Sequence, residues 1–135
     1  MSRRLPVAAI ALAPLLLGAC GSGGPVQMLK QAGSLASTAH LATESWLQHA
    51  APTHFAVHTL RGTSGQAHQQ AQKLRKQSGS DTAIINAFTI VGNQATALAE
   101  RVRAHDGAGA GALLQQLDST QNRIGTLLKA YHAQP

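Results

Sequence analysis

Histidine is the residue type with the most chemical potential in this chain, which carries seven histidines against five aspartates and glutamates. His54 and His58 are spaced i and i+4, so a helix would bring both imidazoles to one face, where they could bind one zinc or copper ion. Counting 100° per residue from Leu60 places both on the solvent side of that helix. They are either two exposed polar-face histidines or a metal-binding pair.

The sequence carries no motif of the common enzyme classes. It contains no Gly-x4-Gly-Lys-[Ser/Thr] phosphate loop, no Gly-x-Ser-x-Gly turn, no His-Glu-x-x-His and no Cys-x-x-Cys-His haem site. Five carboxylates leave little material for paired-carboxylate catalysis or for a calcium cage. We therefore expect a protein that is not an enzyme, with no catalytic residues.

The formal net charge of +6 makes nucleic acid the first partner to consider. The densest basic run, Lys73-Leu74-Arg75-Lys76, is short and has no interleaved aromatic side chains on which bases could stack. The sequence therefore predicts no nucleic-acid partner.

The first nineteen residues have the pattern of an export signal. Arg3 and Arg4 form a positive start, and an apolar stretch follows from Leu5 to Ala19. A membrane-spanning helix needs about 20 apolar residues, and the glycines that begin at Gly21 end this stretch too early. We predict a signal peptide over residues 1–19.

The run Leu17-Gly18-Ala19-Cys20 resembles the lipobox of bacterial lipoproteins. The resemblance implies cleavage before Cys20 and a covalent lipid on its sulfur, which would be the only prosthetic group. Two or three acyl chains anchor a protein far more firmly than one. Gly21 stands where a retention signal for the inner membrane would have aspartate. The resemblance thus implies the outer membrane facing the periplasm in a source with two membranes, and otherwise the outer face of the cell membrane.

The chain behind the predicted anchor is expected to be all-α. Trp46, Phe55, Phe88 and Tyr131 are its only aromatic residues, too few for a sandwich or barrel. Residues 20–25 form the predicted lipidated cysteine and flexible Gly/Ser tether, and residues 26–135 the predicted helical domain. Cys20 is the only cysteine, so no disulfide is expected.

Four segments of the helical domain show apolar residues at helical spacing, and each predicts one amphipathic helix. The predicted core positions of the first are Met28, Ala32, Leu35, Ala39, Ala42 and Trp46. Those of the second are Val57, Leu60, Ser64, Ala67, Ala71 and Leu74. Those of the third are Ile84, Phe88, Val91, Ala95, Leu98 and Val102. Those of the fourth are Leu113, Leu117, Thr120, Ile124, Leu127 and Tyr131.

The pattern favours an antiparallel up-and-down four-helix bundle. Gly62 and Gly65 each cost the second helix about 1 kcal/mol relative to alanine, so a three-helix fold with a loop over residues 61–66 is the alternative. We expect Ser80 to cap the third helix, with Asp81 in its first turn. The glycines from Gly107 to Gly111 are expected to be the loosest connection.

This topology divides the charged residues between two ends of the bundle. The end nearer Cys20 would carry a membrane-proximal basic cluster of Lys30, Lys73, Arg75, Lys76, Arg123 and Lys129. The opposite end would carry His49, His54, His58 and His105, with Arg61, Arg101, Arg103, Glu44, Glu100, Asp106 and Asp118.

The functional prediction is an envelope lipoprotein whose helical domain serves in protein–protein interaction or scaffolding, with an envelope protein as partner. The alternative is a periplasmic protein that senses metal ions or pH through its histidine-rich end, because histidine changes charge between pH 5 and 8.

Overall fold

The computed structural model describes residues 24–133, which form four α-helices and, within that range, no β-strand. The helices are α1 (Pro25–Leu47), α2 (Thr53–Lys76), α3 (Thr82–Arg103) and α4 (Gly107–His132). The connections, residues 48–52, 77–81 and 104–106, are so short that consecutive helices run antiparallel. The predicted all-α four-helix bundle is confirmed. We call the end with connection 77–81 the proximal end, because α1 begins there, and the end with connections 48–52 and 104–106 the distal end.

The extent of contact differs between the pairs of helices. The α2–α3 pair has the most extensive contact, α1 also touches α3 across the bundle, and α2 and α4 do not meet. Ser64 Oγ lies 2.6 Å from Thr96 Oγ1, which joins α2 to α3 by a hydrogen bond between side chains. The His68 ring packs against Gly92, where an added Cβ would come within 2.7 Å of its Nε2. Small residues thus allow α2 and α3 to approach closely.

The core is thin and rich in alanine. All six predicted core positions of α2 and all six of α3 are buried, with Phe88 the largest fully buried side chain. The prediction is less accurate for α1 and α4. Met28, Trp46, Leu113, Leu127 and Tyr131 are only partly buried. These side chains lie near the helix ends, where fewer neighbours cover them.

Helix α2 runs unbroken through Gly62 and Gly65, so the three-helix alternative is wrong. Both glycines are exposed, and a Cβ on either would meet open space. The buried face of the same turns includes Leu60, Thr63 and Ser64. Packing of that face against α3 outweighs the low helix propensity of the two glycines, since tertiary contacts override propensity.

The starts of α3 and α4 also differ from the predictions. Asp81, not Ser80, caps α3, and its Oδ1 accepts a hydrogen bond of 2.8 Å from the Ala83 amide. The glycines after residue 106 form the first turns of α4 instead of a loose connection. Asp106 Oδ1 accepts from the Gly109 amide at 2.8 Å, and a capped turn of this kind tolerates glycine.

Candidate functional site

A cleft of about 790 Å³ opens at the distal end, between the two connections that meet there. Its walls come from the end of α1, the start of α2 and the turn between α3 and α4. The lining residues are Trp46, Leu47, His49, Ala50, Ala51, Pro52, Thr53, His105 and Gly107. Of the four histidines predicted at this end, His49 and His105 contribute to the cleft, whereas His54 and His58 do not.

His49 and His105 have the same unusual backbone conformation. Their φ angles are +62° and +56°, in the left-handed region that favours glycine. Each is the second residue after its helix, and its amide donates to the carbonyl three residues earlier, on Trp46 and Val102 respectively. The following amide donates five residues back at 2.8 Å in both cases. This is the Schellman motif, in which glycine is the usual residue.

Trp46 forms one wall of the cleft. Its ring centroid is 6.5 Å from that of His105, with the planes tilted by 43°. Its Nε1 donates to Thr53 Oγ1 at 3.0 Å, which ties the end of α1 to the start of α2. Trp46 was expected in the core, but it is only partly buried and packs against the core from the side. The cleft therefore combines a fixed aromatic face with two imidazoles.

His54 and His58 are both exposed on α2, as their position on the helix predicted. They line a separate shallow groove with Val57, Arg61 and Arg103. Two arginines beside two imidazoles make a poor site for a cation. Within the described residues, no three His, Cys, Asp or Glu side chains cluster as a metal site requires.

His40 was not predicted as a site residue, yet two carboxylates converge on it. Its Nδ1 lies 3.1 Å from Asp118 Oδ1 on α4, and its Nε2 lies 3.7 Å from Glu44 Oε2 one turn along α1. The Nδ1 contact is close but not aligned for a hydrogen bond. Asp118 is the twelfth of the 26 residues of α4, so it lies at mid-bundle and not at the distal end as predicted. The sequence shows that His40 and Glu44 are one helical turn apart, but it does not show that Asp118 lies next to His40.

The arginines of the distal half are paired with carboxylates. Glu100 contacts Arg103 and Arg61, and Arg101 Nη1 lies 3.1 Å from Asp106 Oδ2. The hydrogen bond and the charge of Arg103 lower the pKa of the Glu100 carboxyl, and the same hydrogen bond raises the pKa of Arg103. All these groups are at the surface, so the pairs orient side chains more than they stabilise the fold.

The proximal half has the opposite character. The six residues of the predicted basic cluster are all exposed: Lys30, Lys73, Arg75, Lys76, Arg123 and Lys129. Within residues 24–133, none of the six lies within 4.0 Å of a carboxylate oxygen. Asp81, the one acidic residue at this end, caps α3. Among the described residues, positive charge without a carboxylate partner is therefore concentrated in the proximal half of the bundle.

The predicted signal peptide, Cys20 and all of the tether but Gly24 and Pro25 lie outside the described residues. Helix α1 begins at Pro25, the last residue of that predicted tether. Within the described range, every helix is too short of apolar residues to cross a membrane. No family model matches the chain, and no curated protein or solved structure shows significant similarity to it.

Proposed function

We propose that this chain is a lipoprotein of the bacterial cell envelope, anchored through Cys20, whose helical domain binds another envelope protein at the distal cleft. The lipobox-like run Leu17–Cys20 supports the anchor. The antiparallel helices support the proposed orientation of the domain relative to the anchor, because the cleft is at the end of the bundle opposite the start of α1. The anchor would thus hold the cleft away from the lipid surface.

The observation that carries this proposal is that His49 and His105, both in the left-handed backbone conformation, line the same cleft. A non-glycine residue costs roughly 1–2 kcal/mol in this conformation, and glycine would remove that cost at both positions. A thin core without a disulfide has little stability to spare. A role of the two imidazoles in binding a partner would explain why histidine, and not glycine, occupies positions 49 and 105. Trp46, whose ring lies beside that of His105, adds one of the residue types enriched among those that dominate binding energy at protein interfaces.

We propose no catalytic role and no cofactor beyond the lipid. None of the five carboxylates lines the cleft beside His49 and His105: Glu44 and Asp118 contact His40, Glu100 contacts two arginines, and Asp81 and Asp106 cap helices. The lining of the distal cleft includes neither a carboxylate nor a cysteine. The imidazoles there are suited to hydrogen bonding and aromatic contact with a partner.

Site-specific photocrosslinking in the native envelope tests the proposal. A photoreactive residue at Ala50 lies in the cleft, and one at Ser119 lies on the exposed surface of α4 as the matched control. We expect one discrete adduct from Ala50, absent from Ser119 and lost when His49→Gly and His105→Gly are combined. Equal labelling from both positions, or an Ala50 adduct indifferent to the double substitution, would contradict a partner site at the cleft.

The alternative is a periplasmic sensor of pH or metal ions. The position of His40 favours the pH form, because its ring lies between α1 and α4 with a carboxylate at each nitrogen, on Asp118 and Glu44. The metal form would need ligands from a partner, since His54 and His58 have no third ligand nearby. A partner interaction that is equally strong at about pH 5.5 and 7.5, with or without zinc, would exclude both forms of the sensor and favour the pH-independent scaffold.

A further inference from the structure

A second open groove, of about 350 Å³, runs between α3 and α4. Its apolar lining includes Ala87, Ile90, Ile124 and Leu127. The α3 residues of the groove belong to the first nine of that helix, within about 13 Å of the proximal end at 1.5 Å per residue. The groove therefore lies in the same half of the bundle as the basic cluster.

A guanidinium flanks the groove on each side. Arg123 of α4 lines it directly. Arg75 reaches across from α2, and its Nη2 donates a hydrogen bond of 2.9 Å to Oγ1 of Thr89, a lining residue on α3. Both arginines are exposed, and neither forms an ion pair within residues 24–133. An apolar trough between two unneutralised cations matches a molecule with an acyl chain and a negatively charged head.

We propose that this groove binds an anionic phospholipid of the membrane in which the chain is anchored, so that the proximal part of the α3–α4 side contacts the lipid surface and the distal end points away from it. The acyl chain would contact Ile90 and Leu127, and the phosphate would lie between Arg75 and Arg123. The remaining basic cluster would face neighbouring headgroups. The proposal concerns a contact additional to the anchor, and it is independent of the distal cleft.

The position of the anchor supports this occupant, and here the inference rests on the proposed lipidation of Cys20. Four residues lie between Cys20 and Pro25, so the two Cα atoms are at most about 18 Å apart in a fully extended chain. The proximal end of α1 can therefore never be far from the membrane surface. A tether of this length lets the basic side chains approach within a Debye length of the surface, about 8–10 Å, where anionic headgroups attract each of them by about 1 kcal/mol.

Vesicle binding by a chain without lipid separates this contact from the anchor. The chain from Gly21 to Pro135 contains all four helices and every described core residue, and circular dichroism would verify its helix content first. Vesicles of phosphatidylcholine with about one third phosphatidylglycerol serve as the anionic probe, and pure phosphatidylcholine as the neutral one. We expect binding to the anionic vesicles at low ionic strength and none to the neutral ones.

Two matched pairs of variants test the groove itself. Arg75→Gln with Arg123→Gln should weaken binding roughly 30-fold, the equivalent of about 1 kcal/mol for each charge. Arg61→Gln with Arg101→Gln removes the same charge from the distal half and should have a much smaller effect. Ile90→Gln should weaken binding severalfold, whereas Leu41→Gln, on an exposed leucine of α1 outside the groove, should not.

Each contrary outcome overturns the proposal in an identifiable way. Equal binding by the two arginine pairs would show that net charge alone attracts the chain. Normal binding by Ile90→Gln would show that the groove holds no acyl chain. The same losses on a soluble polyanion such as heparin would replace the lipid with an acidic macromolecule. None of these results bears on Cys20, whose modification is read separately from the mass of the mature protein.

Discussion

His49 and His105 are equivalent residues in the capping motifs that end α1 and α3, and both line one cleft at the distal end of the bundle. Each takes a conformation in which glycine is the usual residue. Because the two helices run parallel to each other, their ends meet at the same end of the bundle, and the two imidazoles lie at one site. Local backbone strain at a site of this kind is a reason to look for function there.

Replacing either histidine with glycine should stabilise the protein. Relief of the left-handed conformation is worth roughly 1–2 kcal/mol, and the greater freedom of glycine in the unfolded chain takes back about 0.4–1 kcal/mol. We expect a net gain of about 0.5–1 kcal/mol for His49→Gly and for His105→Gly in urea unfolding.

His58→Gly is the matched control, since His58 is exposed within α2, where glycine is unfavourable. It should lower stability by a few tenths of a kcal/mol. A loss of stability in His49→Gly or His105→Gly would mean that the imidazole itself holds the distal end together.

The helical glycines should respond to alanine according to what faces them. A Cβ at Gly62 or Gly65 meets open space, so alanine should stabilise each by about 0.5–1 kcal/mol through helix propensity. A Cβ at Gly92 would displace the His68 ring from its packing against α3. Gly92→Ala should therefore lack the gain seen at the other two. Thermal unfolding of the three variants checks the order, and an equal gain at Gly92 would contradict the packing of the His68 ring against it.

The two phenylalanines give the clearest test of the core. Phe88 is fully buried in α3, and Phe88→Ala should cost roughly 3–5 kcal/mol. Phe55 is 53% exposed, and the same substitution there should cost far less. Chemical denaturation measures both. A cost below about 1 kcal/mol at Phe88 would place its side chain outside the core.

The Glu100 carboxyl should titrate differently when its arginines are removed. Arg103 is the main cause of the lowered pKa of Glu100, and Arg61 contributes least. Arg103→Gln should therefore raise the Glu100 pKa toward its ordinary value, and Arg61→Gln should raise it less, as NMR titration can measure. Because this pKa is lowered, the pair stabilises the fold at pH above the ordinary pKa of glutamate, and that stabilisation is lost as the pH falls through the lowered value. Identical titration in the two variants would contradict the dominant contact with Arg103.

The periodicity of the sequence predicted the four helices and the buried faces of α2 and α3 correctly, because apolar spacing follows helix geometry directly. The same periodicity was less reliable at the helix starts, where capping residues and packing decide whether glycines form helix or loop. The glycines from Gly107 onward suggested a loop, but Asp106 caps them into a helix whose Ala110 is fully buried. The preference of glycine for loops is a weak influence once a capped turn is held against a core.

Much of the candidate site was beyond sequence reasoning. Asp118 lies 78 positions after His40, and nothing in their local patterns links them. The left-handed conformation of His49 and His105 depends on where each helix ends, and sequence patterns locate helix ends poorly. The distal cleft exists only because two such ends meet. The sequence showed only which residue types are available for such a site: several histidines, one tryptophan and more basic than acidic residues.

The mass of the mature N-terminus is the most direct test of the proposed lipid anchor on Cys20. In cells that process such signals, we expect a chain that begins at Cys20 and carries the mass of a covalent lipid on it. The Cys20→Ala chain should lack this mass and leave the membrane fraction. A soluble wild-type chain with an unmodified Cys20, beginning upstream of that residue, would show that the protein is not a lipoprotein.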